Sequence, residues 1–433
     1  MNILDIKLIK KNTIFLAIQQ SINIVAPALT TIYIIRIADI EQYGVVAFCF
    51  GLVGFFMLLS EFGFNLSGVR KISVFQKDSN EISNIISRIF YAKLFLIFFG
   101  FFIYYLVVQS ITLLEGQRIF ALTFYLIVAA HGFTPVWAYQ GLQNLGFATF
   151  MVSMGRIISL ILIFILIKDS SDIIYLALIQ GFTYMLSAML LQIYLFSHYS
   201  INFRVPSLRD VVSEINDSTP LFFANMGTGM YGVIIIFLLG IWGSPIYVAM
   251  FSACEKIILV LKGLISSLSY AVYPMYVKIF SNDDVLFSKN LMILIRNFFY
   301  PIMILIIILT PILWIFSKEI LTFLYGPEYA IAQNTFRVMI FTPPIIFIGN
   351  LFGIQFLLSL KKDLIFRNIL LSAGCVCICI LYFFSENLDD FFAATTVLVI
   401  EIYITILFIF YGAKHVLKFK HDIKFRNLQS TIK

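Results

Sequence analysis

The chain has 433 residues, of which 61% are hydrophobic and only 12% charged, and its mean hydropathy is +0.97. Soluble domains run near 45 to 50% apolar and about 25% charged, so a water-soluble fold of this composition is excluded. The net charge of +7 comes from 30 Lys and Arg against 23 Asp and Glu; it is mostly a topology signal and does not point to nucleic-acid binding.

A membrane-crossing helix needs about 20 predominantly apolar residues. Taken in chain order, the runs that qualify are 14–37, 44–64, 89–108, 119–138, 147–167, 173–195, 219–241, 246–271, 293–316, 336–358, 367–385 and 391–411. The fold class expected is therefore an all-α membrane protein of about twelve transmembrane helices. The first run is too long for a signal-peptide core and lacks an obvious small-residue cleavage site, so a retained first helix is expected.

Basic residues collect in cytoplasmic connections, and this tests the helix count. With the N-terminus inside, the inward segments carry Lys7, Lys10 and Lys11; Arg70, Lys71, Lys77 and Arg88; Arg204 and Arg209; Lys278 and Lys289; Lys361 and Lys362; and a tail from Lys414 to Arg426. The outward connections hold little beyond Arg118, Lys168 and Lys318, and are acidic instead, with Glu41, Glu115, Asp169, Asp172, Glu319, Glu328 and Asp389. One missed helix would scramble this alternation. Both termini are expected in the cytoplasm.

The longest polar connection, with Pro206, lies near the middle of the chain, so the expected organisation is a lobe of six helices over 1–200, a cytoplasmic linker over 201–217, and a second lobe over 218–433 ending in a basic tail. The stretch 218–255 echoes 12–50 in its order of helix, short outer turn with a Tyr (Tyr43, Tyr247) and second helix. Halves that both begin inside are parallel repeats, suited to alternating access.

Several patterns have plain explanations. Gly227, Gly229 and Gly232 spell G-x-G-x-x-G, but a dinucleotide loop must follow a strand, and these lie within the seventh span, where close helix packing or a flexible point is expected. Gly349 and Gly353 receive the packing reading. Cys49, Cys254, Cys375, Cys377 and Cys379 sit in apolar runs as small hydrophobes for which buried packing is expected, with Cys375 and Cys379 sharing a helix face that Cys377 does not, and no metal or other cofactor is expected. No P-loop, paired carboxylates or large outward loop suggests enzymatic chemistry.

The informative residues are ionisable ones inside spans, each costing about 2.5 to 3.5 kcal/mol at a helix centre. Arg156, Lys256 and Lys262 are candidates for a substrate path, and Glu255 and Glu401 for ion coupling or for structural pairing with those cations. Lys262 falls on nearly the same face as Glu255, about 10 Å along the helix. Arg36, Glu61, Lys93 and Arg337 lie closer to span ends, where snorkelling competes with function. His131 receives no role.

The order and spacing of short elements carry a resemblance. Ile40-Glu41-Gln42-Tyr43-Gly44, Glu61-Phe62-Gly63-Phe64 followed by Arg70-Lys71, Pro135-Val136-Trp137-Ala138-Tyr139-Gln140-Gly141, Phe251 to Lys256, and Tyr325-Gly326-Pro327-Glu328-Tyr329 with Arg337 after it resemble recurring stretches of bacterial polysaccharide exporters. These are the O-antigen flippases (Wzx type) of the multidrug/oligosaccharidyl-lipid/polysaccharide (MOP) exporter superfamily. The resemblance implies two six-helix lobes around a central, often cationic cavity, in the MOP/MATE manner. It implies as cargo an undecaprenyl-diphosphate-linked glycan moved across the bacterial inner membrane, with membrane lipids, the polysaccharide polymerase and the chain-length machinery as partners. Arg156, Lys256, Lys262, Arg36 and Arg337 would then be substrate-path residues, and Glu61, Glu255 and Glu401 ion-coupling residues. Two rival readings stay open: a small-molecule or drug exporter of the same superfamily, favoured by the acidic residues, and a non-transporting scaffold of glycan assembly.

Overall fold

In a computed structural model the protein is helical with no strand among the residues described, which are 22–75, 78–199, 201–281 and 287–431. Lys7, Lys10, Lys11 and Lys77 and the start of the first expected span lie outside the described residues. Twelve principal helices follow: α1 (Ile22–Ile37), α2 (Ile40–Val74), α3 (Ser79–Ser110), α4 (Arg118–Gly141), α5 (Leu145–Leu166), α6 (Ser170–His198), α7 (Leu208–Trp242), α8 (Pro245–Ser281), α9 (Asn290–Ile315), α10 (Pro327–Leu358), α11 (Asp363–Phe383) and α12 (Asp390–Phe419). Among the described residues, nine of them are long and apolar enough to cross a membrane. The chain is a multi-pass membrane protein.

Polar caps start several helices where the sequence supplies them. Asp78 accepts from the backbone N–H groups of Asn80 and Glu81 to open α3, and Ser207 with Asp210 forms a reciprocal capping box at α7. At that polar start of α7, outside the apolar span, hydrogen bonding from Ser207 holds the Asp210 carboxyl below its ordinary range, with Arg88 and Arg209 adding to the effect.

Contacts divide the chain into two compact units, Met1–Ala249 and Met250–Lys433. In the first, α2 is central and packs against α3, α4 and α7. Buried tyrosines satisfy their hydroxyls on backbone carbonyls: Tyr104 on Ala121 at 2.8 Å, Tyr125 on Ile97 at 2.6 Å and Tyr139 on Leu191 at 2.7 Å. Where water is absent such bonds remove an otherwise costly polar group. α7 belongs to this unit by packing; Gly51 lies against Ile236, and Gly240 against Phe48.

In the second unit α12 is the hub, contacting α10 and α11. Gly349 and Gly353 lie against Thr405 and Phe408, so the small residues do allow close approach. Of the two readings offered for the glycines of the seventh span, close packing and a flexible point, packing does not account for Gly232, where a Cβ would meet nothing within 4 Å among the described residues. Cys49, Cys254 and Cys377 are buried, whereas Cys375 and Cys379 are exposed, which fits the outward face they share and corrects the expectation that all five are packed inside. Phe316 ends α9, whose most apolar window has none of its residues buried within the protein.

Candidate functional site: a charged cavity in the first unit

Two interrupted helices build the site. α2 runs regularly from Ile40 to Glu61, then Phe62 (φ 43°) and Gly63 (φ 77°) both take the left-handed conformation before helix resumes at Phe64. Gly63 adopts that region freely, but Phe62 is strained there, a cost of order 1–3 kcal/mol that persists only where surroundings impose it. Here Phe62 stacks on Phe222 with ring centroids 4.3 Å apart. α4 is interrupted at Thr134-Pro135, since Pro135 has no N–H to give the preceding turn, and restarts at Val136. The two continuing segments, Phe64–Val74 and Val136–Gly141, pack on each other through Gly68 against Trp137 and Gly141 against Ile72.

Between these breaks and α1, α3, α5 and α6 lies a cavity of about 280 Å³. Its charged lining is Glu61 at the α2 break, His131 one turn before Pro135, Lys93 on α3 and Arg156 on α5. His131 Nε2 lies 3.9 Å from Glu61 Oε1, and its Nδ1 is buried without a hydrogen-bond partner among the described residues. Lys93 is 5% exposed and interacts electrostatically with Glu61. Arg156 donates from a guanidinium nitrogen to Asn23 Oδ1 on α1. Two fixed cations thus face one carboxylate and one imidazole. Uncharged polar groups, among them Asn65, Thr134, Gln140, Tyr184 and Ser187, complete the wall.

Of the residues singled out in the sequence, Glu61 and Arg156 meet in this cavity. Lys93, for which the sequence leaves snorkelling and function both open, and His131, to which it assigns no role, also line it. α3 begins at Ser79 and not at 89, which moves Lys93 well into the helix. The signal for His131 was its place four residues before Pro135, where a helix must open. Arg36 is on α1, exposed and outside the cavity.

The remaining candidates occupy the second unit and are engaged differently. Lys262 Nζ is 3.2 Å from Glu401 Oε1, with side chains 20% and 5% exposed, so the structural pairing weighed for them is formed. Arg337 donates through Nε to Ser317 Oγ at 3.1 Å and lies 4.2 Å over the Trp314 ring. Glu255 and Lys256 are partly buried on α8, and neither enters an ion pair among the described residues. No group of three or more His, Cys, Asp or Glu suited to a metal ion occurs among the described residues.

Comparison with known proteins agrees with this architecture. Over 93% of the chain and 96% of the relative, it is 24% identical to an Escherichia coli (strain K12) protein named "Putative O-antigen transporter". A Shigella dysenteriae protein of the same name is 25% identical over 83% of this chain and 89% of its own length. Among solved structures, the lipid II flippase MurJ in an inward closed conformation superposes with a TM-score of 0.71 at 14% identity, covering 95% of this chain and 90% of MurJ. An inward-facing MATE-family multidrug transporter of the MOP superfamily gives 0.67 at 12% identity, covering 93% and 96%. At such identities the likeness is one of fold, and that fold is the helical membrane architecture shared by the MATE and MurJ proteins. The family model described as "Polysaccharide biosynthesis protein" matches residues 9–280, well over half of the sequence, and the chain belongs to that family.

Proposed function

We propose that the protein is a flippase that carries undecaprenyl-diphosphate-linked oligosaccharide repeat units across the bacterial inner membrane, for O-antigen, capsule or another surface polysaccharide. In this reading the lobes 1–200 and 218–433, joined through 201–217 and with both termini cytoplasmic, expose the cargo site to each side in turn. The polymerase and chain-length machinery would take up the delivered units.

The observation that carries the reading is the pairing of Lys93 and Arg156 in one cavity of a fold shared with a lipid II flippase. A diphosphate crossing hydrocarbon needs its charge neutralised, and a buried guanidinium offers forked donors that match phosphate oxygens. Arg156 donates to Asn23, a neutral acceptor that a phosphate oxygen, being charged, would outcompete. Glu61 and Glu255 are the proposed ion-coupling acids, with His131 beside Glu61; Glu401 instead serves Lys262. Fixed cations disfavour a cationic drug as cargo.

The test is complementation of a strain lacking its own exporter. Arg156→Ala abolishes surface glycan while protein abundance in the membrane is unchanged. Normal glycan in that strain would remove the cavity from the mechanism.

A further inference from the structure

Helix ends in the second unit gather a group of lysines remote in sequence from one another. α10 closes in a turn where Lys361 N–H bonds to the Leu358 carbonyl and Lys362 N–H to that of Leu357, both at 2.9 Å. Lys361 is left-handed there (φ 58°), a place that favours glycine or asparagine, and its side chain is exposed. α11 leaves this turn and packs along α12, with Phe366 stacked on Phe408 at 5.0 Å between ring centroids. That packing brings Lys362 beside the end of α12, where Lys362, Lys414 and Lys418 all act electrostatically on His415. Lys414 and Lys418 are exposed.

Depth in the membrane fixes what the group faces. About 20 residues of helix, roughly 30 Å, cross the hydrocarbon core. Counted forward from Asp390 on α12 or back from Phe383 on α11, that length ends near residues 410 and 363, so Lys361, Lys362 and Lys414 sit at headgroup depth and Lys418 one turn further out. Leu364 and Leu417 stand among them, each 66% exposed. Apolar side chains interleaved with lysines suit the boundary between acyl chains and headgroups, and not open water.

A general excess of positive charge at this end of the helices does not account for the group. In the first unit such residues have acidic partners: Lys71 Nζ lies 2.8 Å from Glu214 and 3.1 Å from Asp217, and Arg88 lies 3.7 Å from Asp210. None of Lys361, Lys362, Lys414 and Lys418 enters an ion pair among the described residues. Like charges four apart on a helix, as Lys414 and Lys418 are, repel, and a covering anion relieves that cost.

The lysines form two pairs, one on the turn and one along α12, and two phosphates joined by a short bridge match them. We infer that this surface docks the headgroup of a two-phosphate phospholipid from the leaflet at that end, with Leu364 and Leu417 against its acyl chains. The surface belongs wholly to the second unit, and the assignment is independent of what the protein transports.

The experiment titrates the full chain in detergent with cardiolipin, phosphatidylethanolamine and undecaprenyl diphosphate, reading the dissociation constant of the first bound lipid by native mass spectrometry. The wild type binds cardiolipin at least about tenfold more tightly than phosphatidylethanolamine. Lys362→Gln with Lys414→Gln weakens cardiolipin binding about thirtyfold, the loss expected for two lysines at an anionic headgroup. It leaves phosphatidylethanolamine binding unchanged, which shows that it is folded. Lys418→Gln alone, at an exposed position, loses about fivefold. Arg70→Gln with Arg209→Gln removes two exposed charges from the first unit and has no effect. The assignment is overturned if the wild type does not prefer cardiolipin, if the Lys362 and Lys414 variant binds it undiminished, or if the two double variants weaken it equally, as diffuse attraction would. Tighter binding of undecaprenyl diphosphate than of cardiolipin, lost in the same lysine variant, would make the surface a dock for cargo and overturn the phospholipid as its occupant.

Discussion

The two units of the chain treat several of their intramembrane charges differently. In Met250–Lys433 Lys262 closes on Glu401, and Arg337 is held between Ser317 and the Trp314 ring, while Glu255 and Lys256 enter no ion pair among the described residues. In Met1–Ala249, Lys93, Arg156, Glu61 and His131 stand around open volume, with His131 3.9 Å from Glu61. A pair that is closed already has no affinity to offer a ligand, whereas charges held apart around a void do. The difference teaches that the position of an ionisable residue within a span says little about its use until its partner is known.

That contrast can be broken by substitution. The largest effect is expected in the first unit, where combining Lys93→Met with Arg156→Ala lowers the initial rate of lipid-linked glycan transport in proteoliposomes by at least about a hundredfold, about 2.7 kcal/mol or more in transition-state terms, with little change in thermal unfolding. Loss of fold instead would place these cations with the structural pairs.

Next, Glu401→Gln strands the Lys262 ammonium in a largely buried place, and the cost to stability is roughly 3 kcal/mol. Replacing both partners by Leu and Met recovers most of that loss in detergent unfolding assays. A variant as stable as the wild type would show that Glu401 is available for coupling after all.

Smaller still, Arg337→Lys keeps the charge but loses the planar stack on Trp314, at about 0.5 to 1 kcal/mol; an unchanged melting temperature would contradict the clamp. The least effect concerns the start of α7. Because the Asp210 carboxyl is depressed in the folded protein, its capping contribution is present above the ordinary carboxylate range and is lost as pH falls through the lowered value. Hydrogen exchange at the first amides of α7 should therefore quicken only in strongly acidic buffer, and Asp210→Asn should remove the pH dependence.

Much of this was legible beforehand for a physical reason. Apolar runs of spanning length have few alternatives in a membrane, so the twelve helices and the chain's membrane class followed from composition. Arg156 announced itself because a charge in mid-span is costly. Lys93 did not, since polar residues from Ser79 to Arg88 hid the true start of α3, where Asp78 caps a helix that begins well before its apolar stretch. His131 was visible only as a lone imidazole. Gly63 and Pro135 marked possible interruptions, but no sequence rule places a phenylalanine such as Phe62 in left-handed backbone; tertiary packing does that.

The interrupted helices bear on a quantity that no interatomic distance expresses, the membrane electric field. Backbone that departs from helix at membrane depth is tolerated where it is enclosed by protein or lines a hydrated cavity. Water reaching the breaks at Phe62 and Pro135 would act as a conductor, so the transmembrane voltage would fall across the thinner wall that remains and not across the full bilayer. A charge moved through that wall does work of up to about 2.3 kcal/mol for each 100 mV, which makes the voltage dependence of transport a direct measure of how deeply the cavity is wetted.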